Sequence, residues 1–265
     1  MNNKYIGVFD SGMGGLTVVK SIIEKMPNEN IVYFGDTAHV PYGTRSKEQI
    51  TEYVMNDVKF LSGFDIKAIV IACNTADSIA REKVEASYDL PVFGVVEPAA
   101  KKAALATKNG RIGIIATNAT VNSGAYERTV KCFNESAEVI SLACPLLVPL
   151  VEEGRFKKGD KVIEKVLTEY LEPLKEQEID TLVLGCTHYP LLYDIIAEIM
   201  PDTNIISSSV AAAETLKSAL EAADLRSDTS ESKRKYFVSD NAEYFEGLAK
   251  IFMGDLGGRV EHVEI

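Results

Sequence analysis

Two of the four cysteines close an apolar, β-forming run and open a polar segment. One run is Ala68-Ile69-Val70-Ile71-Ala72-Cys73-Asn74-Thr75, the other Thr181-Leu182-Val183-Leu184-Gly185-Cys186-Thr187-His188. In open α/β sheets ligand crevices form beyond the carboxyl ends of the strands, so both thiols stand where chemistry is done. Thr75 and Thr187 have the residue type of helix caps. That predicts free backbone N–H groups and a positive helix end beside each sulfur, which favour thiolate over thiol. Two thiols facing one carbon from opposite sides suit inversion of a stereocentre. One thiolate removes the α-proton, the other thiol delivers a proton from the far face, and the roles exchange in reverse. Such chemistry needs no cofactor, but the carbanion needs backbone N–H groups and hydroxyls around the substrate carboxylate.

A free cysteine often packs as a small hydrophobe, and that reading is kept for Cys132 and Cys144. The chain has no CxxC pair and no His/Cys spacing suited to zinc, so reduced thiols are expected, without a disulfide framework or metal site. A cysteine hydrolase or transferase with Cys186 as nucleophile and His188 as base would leave Cys73 idle. A non-catalytic binder of a small acid would tolerate loss of either thiol. A thiol/disulfide redox protein would ordinarily show the missing CxxC arrangement.

Other polar segments also follow apolar runs. Asp10-Ser11-Gly12-Met13-Gly14-Gly15 is a glycine-rich turn opening a helix, able to bind an anion through its amides, though it does not fit GxGxxG. Gly35-Asp36-Thr37-Ala38-His39-Val40-Pro41-Tyr42-Gly43 is a second such loop, in which Gly43 allows close backbone approach. His188, two residues after Cys186, can polarise that thiol or bind a carboxylate.

These segments need elements to position them. Strands are expected at 5–9, 31–34, 68–72, 92–96, 111–116, 137–142, 182–185, 204–207 and 235–239, with helices between them such as 16–26, 47–61, 119–133, 161–175 and 189–200. The alternation implies parallel sheets with crossover helices. Ile6-Gly7-Val8-Phe9-Asp10-Ser11 is echoed by Ile112-Gly113-Ile114-Ile115-Ala116-Thr117, the Cys73 run by the Cys186 run, and the segment from Val95 by the one from Ile206. The expected fold is therefore α/β: two similar parallel-sheet domains related by pseudo-symmetry, with the active site at their interface. The first would comprise residues 1–97 plus 208–265 and the second 98–207. The polar stretch 227–232 is expected to be a surface loop.

Composition excludes other classes. A formal charge of −11 repels polyanions, so nucleic acid is not an expected partner. The apolar run Leu142–Val151 contains two prolines and is too short for a bilayer, so no membrane partner is expected. The N-terminus lacks a basic start and a cleavable apolar stretch, and a cytoplasmic location is expected.

On these segments the chain resembles glutamate racemases of the aspartate/glutamate racemase superfamily, over essentially its full length. Asp10 to Thr17 is similar to the family's DSGxGGLT opening. Gly35-Asp36-Thr37 with Pro41-Tyr42-Gly43, the block 72–76, Cys144 to Glu152, and Gly185 to Leu192 resemble its later blocks. The resemblance implies that Cys73 acts on D-glutamate and Cys186 on L-glutamate, with no cofactor. It implies that Ser11, Tyr42, Gly43, Asn74, Thr75, Thr117, Thr120 and Thr187 hold the two carboxylates. Asp10 and His188 would assist the cysteines or the substrate ammonium, and Asp36 and Glu152 would belong to the same polar shell. The product would be D-glutamate for peptidoglycan, and a homodimer is common in the family. His39 stands where the family more often has Arg, and Ser207 where an Asp often follows the late strand. The N-terminal extension of members activated by a cell-wall precursor is missing, so that activation is not expected. An aspartate racemase would use the same two thiols, and one methylene in a pocket discriminates by only ~1–3 kcal/mol.

Overall fold

The computed structural model describes residues 3–227 and 231–265. The first half runs β1 (Tyr5–Asp10), α1 (Leu16–Lys25), β2 (Asn30–Gly35), α2 (Lys47–Leu61), β3 (Ile66–Ile71), α3 (Asn74–Ser87), β4 (Val92–Gly94) and α4 (Val96–Ala106). Next come β5 (Arg111–Ala116), α5 (Asn118–Ser123), α6 (Ala125–Phe133), β6 (Glu138–Ala143), α7 (Leu147–Glu152), α8 (Lys161–Glu176), β7 (Thr181–Gly185), α9 (Tyr193–Ile199) and β8 (Asn204–Ser207). The chain ends with α10 (Ser208–Ala222), β9 (Arg234–Val238), α11 (Ala242–Met253) and β10 (Val260–His262).

Every strand pair is parallel. One sheet has the order β10-β9-β2-β1-β3-β4, the other β6-β5-β7-β8. The second order repeats the β2-β1-β3-β4 part of the first, so the echoed sequence segments occupy equivalent strands. The first sheet is extended at one edge by β9 and β10, which return from the end of the chain.

Helices cover both faces of each sheet, which is why the central strands read as nearly continuous apolar runs. In the first sheet Ile6, Val8, Tyr33 and Val70 face a core shared with α1, α10 and α11. Phe9, Phe34, Ile69 and Ile71 alternate to the opposite side, against α2 and α3. In the second sheet Ile112, Ile114 and Val183 pack on α4 and α6, while Leu182 and Leu184 face α7, α8 and α9. Among the described residues no helix is long and apolar enough to cross a membrane.

Several boundaries differ from the sequence reading for identifiable reasons. The expected strand 92–96 stops at Gly94, because the buried carboxylate of Asp77 accepts from the N–H groups of Val95 (2.9 Å) and Val96 (2.7 Å) and starts α4 there. The single helix expected at 119–133 is two helices, parted at Gly124, whose φ of 65° is left-handed. Segment 189–200 begins as a 3-10 turn, Tyr189–Leu192, before α9. Helix α7 was not expected, since Pro145 and Pro149 break its apolar pattern. Pro149 lies in its first turn, where an N–H has no intrahelical partner. Strand β10 is a three-residue edge strand without alternation. Of the loop expected at 227–232, residues 228–230 lie outside the described residues, and Ser227 is buried, its N–H donating to Glu29 Oε1 at 2.9 Å.

Candidate active site

The polar residues singled out by sequence emerge at the carboxyl ends of the strands. Strand β1 delivers Asp10 and Ser11, β2 leads to Asp36, and Cys73 lies just beyond β3. In the second sheet β5 leads to Thr117, β6 to Cys144 and β7 to Cys186. These ends converge on a cavity of about 230 Å³. Both Cys73 and Cys186 line it, together with Ser11, Tyr42, Gly43, Asn74, Thr75, Thr117, Thr187 and His188. Asp10 and Thr120 do not line it and stand behind its wall.

Cys73 is itself the residue that caps α3, and Thr75 is already helical. Thr187 does not cap a helix either: its hydroxyl donates to Asp10 Oδ1 at 3.3 Å. The Cys73 thiol donates to Ser11 Oγ at 3.5 Å. Burial pushes that thiol up to about 12, and the Asp10 charge adds to the shift. The Ala76 N–H and Ser11 offset them only in part. The expected low thiolate pKa is therefore corrected for Cys73: desolvation outweighs the helix end.

Cys186 has different company. His188 Nδ1 lies 3.8 Å from its sulfur, and His188 Nε2 lies 3.1 Å from Glu152 Oε1. Burial alone would push the imidazole down, but contact with Cys186 and Glu152 raises it to about 10. An imidazolium donor thus stands beside Cys186, while a buried carboxyl group stands near Cys73. Glu152, on α7, lines the same cavity.

Asp10 is fully buried and accepts from the Gly12 N–H at 3.0 Å. Burial raises its pKa, against the opposing pull of His188 and of the Gly15 and Gly12 N–H groups. The glycine-rich turn consequently spends amides on its own aspartate, which corrects their reading as a ligand-binding anion nest. Its Gly14 has a second use. A Cβ there would collide with Thr187 Oγ1 and come within 2.6 Å of His188 Nδ1. Only glycine lets this turn approach the Cys186 segment so closely.

Three threonine hydroxyls from the two halves of the chain form a closed cluster. Thr75 Oγ1 lies 2.9 Å from Thr117 Oγ1 and 3.2 Å from Thr120 Oγ1, and the last two are 3.0 Å apart. The Asn74 side chain is engaged elsewhere, with Nδ2 donating to Ser208 Oγ at 3.3 Å and Oδ1 accepting from the Tyr126 hydroxyl at 2.6 Å. The Tyr42 hydroxyl is also engaged, 2.6 Å from Asp36 Oδ2 and 3.0 Å from Asp57 Oδ2. These two expected carboxylate ligands border the cavity with their polar side-chain atoms already partnered.

His39, one of the departures from the family pattern, holds Asp36 through Nδ1 at 2.8 Å and stacks on Tyr53. The Ser207 hydroxyl is buried and has no hydrogen-bond partner among the described residues. Cys144 is buried, as expected, yet it also lines the cavity; burial and the nearby Cys186 push its thiol up to about 12. Cys132 corrects its packing assignment, being exposed on α6 with its thiol donating to Arg128 O at 3.3 Å. Val148 and Pro149 of α7, within the Cys144–Glu152 block, and Asn118, outside every motif, complete parts of the wall. Among the described residues no group of three or more His, Cys, Asp or Glu side chains could hold a metal ion.

Residues 6–216 match the family model described as Asp/Glu/Hydantoin racemase. The chain belongs to that family. This racemase is 44% identical to the glutamate racemase of Geobacter metallireducens over 264 residues, which is 99% of this chain and 97% of that one. The glutamate racemase isoform RacE1 of Bacillus anthracis superposes with a TM-score of 0.96 at 37% identity, covering 100% of this chain and 99% of that one. The glutamate racemase of Francisella tularensis, solved in complex with D-glutamate, superposes with a TM-score of 0.92 at 37% identity, covering 100% and 98%. The racemase fold and the strand-end thiols therefore occur together in this chain.

Proposed function

We propose that this racemase interconverts L- and D-glutamate, without a cofactor, by proton transfer between the substrate Cα and the thiols of Cys73 and Cys186. The observation that carries the reading is that both sulfurs, at equivalent positions after β3 and β7, line one cavity of about 230 Å³. The thiolate of Cys186 takes the α-proton of L-glutamate, and the Cys73 thiol gives its proton to the opposite face. The enzyme is left with the thiol on Cys186 and the thiolate on Cys73, ready for the D enantiomer.

The carboxylates would be held by Ser11, the Thr75 and Thr117 hydroxyls, which Thr120 holds from behind, Thr187 and the backbone near Gly43. Glu152 and His188 would face the ammonium and the Cys186 thiol, with Asp10 acting on Cys73 through its charge from behind the cavity wall. Strengthening of these donors as charge moves onto the substrate carboxylate lowers the barrier to the carbanion. The two units would divide at about 97/98 and 207/208, with the substrate enclosed between them. The product would be D-glutamate for peptidoglycan.

The test is incubation with L-glutamate alone in D2O, following optical rotation and α-deuterium. Rotation should decay to zero, and early D-glutamate should carry deuterium while the remaining L-glutamate stays protiated. Unchanged rotation overturns the reading. Early D-glutamate that retains its original proton overturns the two-thiol mechanism, because a single group would then be returning the proton it took.

A further inference from the structure

Asp57 lies on α2, outside every motif, yet it is fully buried. Its Oδ2 is 3.0 Å from the Tyr42 hydroxyl, and its Oδ1 has no hydrogen-bond partner among the described residues. The Tyr42 oxygen is simultaneously 2.6 Å from Asp36 Oδ2. A phenol has one proton and cannot donate to two carboxylates at once.

The remaining contacts decide how the protons are shared. Asp36 accepts from His39 Nδ1 at 2.8 Å and from Ser239 Oγ at 2.8 Å, and it makes the shorter contact with Tyr42. Three donors mark Asp36 as the anion of the pair. Asp57 receives no donor except Tyr42, and an ionised carboxylate buried with an unpartnered oxygen is costly. Burial, and then the charge of Asp36, push Asp57 well above the usual carboxylate range.

We propose that Asp57, as the un-ionised acid, donates its proton to the Tyr42 oxygen, so that Tyr42 donates to Asp36 and the Tyr42–Gly43 turn is fixed against the substrate cavity. Asp57 is a positioning residue, acting through Tyr42. One turn earlier on the same helix, Tyr53 stacks on His39 with ring centroids 4.1 Å apart. Helix α2 thus grips the loop at two points. The fixed turn matters because Gly43 abuts Thr117 so closely that a Cβ would come within 2.9 Å of the Thr117 Cβ. Any shift of Tyr42 displaces Gly43 against the threonine cluster.

The inference rests on the glutamate racemase reading for its kinetic consequence but not for its proton assignment. Two measurements separate them. A wild-type minus Asp57→Asn infrared difference spectrum at neutral pH should show the C=O stretch of an un-ionised carboxylic acid. In kinetics, Asp57→Leu should raise KM for glutamate about tenfold with little change in kcat, because a lost positioning contact weakens ground and transition states alike. Asp57→Asn, whose amide can still donate to Tyr42, should restore most of that loss. In a Tyr42→Phe background, Asp57→Leu should add nothing further.

Absence of the acid band, an Asp57→Asn variant as impaired as Asp57→Leu, or additive effects of the Tyr42 and Asp57 substitutions would each overturn the proposal. Should Asp57→Leu fail to fold, the infrared band and the Asp57→Asn kinetics still decide it. A wild-type protein that leaves glutamate unchanged defeats the racemase reading, while the band continues to decide the proton assignment.

Discussion

His188 Nε2 lies 3.1 Å from Glu152 Oε1, and through this contact a carboxylate outside the Cys186 segment governs the charge of the imidazole beside that thiol. His188 is raised from 6.5 to about 10, with burial opposing and Cys186 and Glu152 prevailing. Its favourable charge contributes stability that is full below pH 6.5 and lost as pH rises through about 10. Glu152→Gln removes one of the raising partners and brings the upper end of that window down. The basic limb of kcat/KM should move to lower pH in this variant, and the fall of thermal stability on the alkaline side should begin earlier. Rate–pH and melting–pH profiles of the two proteins check both shifts; superimposable profiles would remove Glu152 from the site.

Asp10 exerts an opposite electrostatic effect on Cys73, where its charge adds to burial in raising the thiol. Asp10→Asn should therefore increase the alkylation rate of Cys73 at fixed pH, read by peptide mapping. If Asp10 also assists proton transfer, the same variant should lose about 10²-fold in kcat/KM. The two enantiomers have equal free energy, so the loss must be the same from L- and from D-glutamate. Faster alkylation accompanied by slower turnover separates an electrostatic partner from a group that merely packs beside the sulfur.

The parts of this site that could be read from sequence were those encoded locally. Strands buried on both faces show as apolar runs, and a cysteine closing each of two such runs marks both thiols. The ionisation of Cys73 is not legible there, because cap-like neighbours are visible in a sequence while the depth of the thiol is not. The commitments of Asn74 to Tyr126 and Ser208, and of Tyr42 to Asp57, join residues distant in the chain and carry no periodic signature. Cys132 was assigned to the interior by residue type alone, on a helix whose other face is the buried one.

Gly14 tests how closely the two halves must meet. A methyl group at this position would strike Thr187 Oγ1 and His188 Nδ1, so Gly14→Ala must displace one of them. Overpacking of this kind costs about 1–3 kcal/mol, which leaves the protein folded near room temperature. Activity should fall by more than stability, since the displaced imidazole is the partner of Cys186. Denaturant melts beside kcat/KM measurements would show it, and wild-type kinetics in a folded Gly14→Ala variant would contradict the geometry.

Lys67 offers the reverse case, stability without chemistry. Its ammonium is buried at the start of β3, 2.5 Å from Glu29 Oε2 and 2.7 Å from the Leu225 carbonyl. The pair ties β3 to the segment that follows α10, near the end of the sheet opposite the thiols. Six residues of strand, at about 3.3 Å each, put Lys67 roughly 20 Å from Cys73. Lys67→Met removes the closer of two cations on Glu29 and leaves that buried carboxylate with Arg226 Nε at 3.5 Å and the Ser227 N–H, a change that costs up to about 3–5 kcal/mol. The melting temperature should drop accordingly, while kcat/KM of the folded enzyme at low temperature stays at the wild-type value. The double variant Lys67→Met/Glu29→Leu, which removes both charges and leaves the partly exposed Arg226 to solvent, should recover much of the loss. A double variant no more stable than Lys67→Met would show that packing around the pair, and not the buried carboxylate, carries the cost.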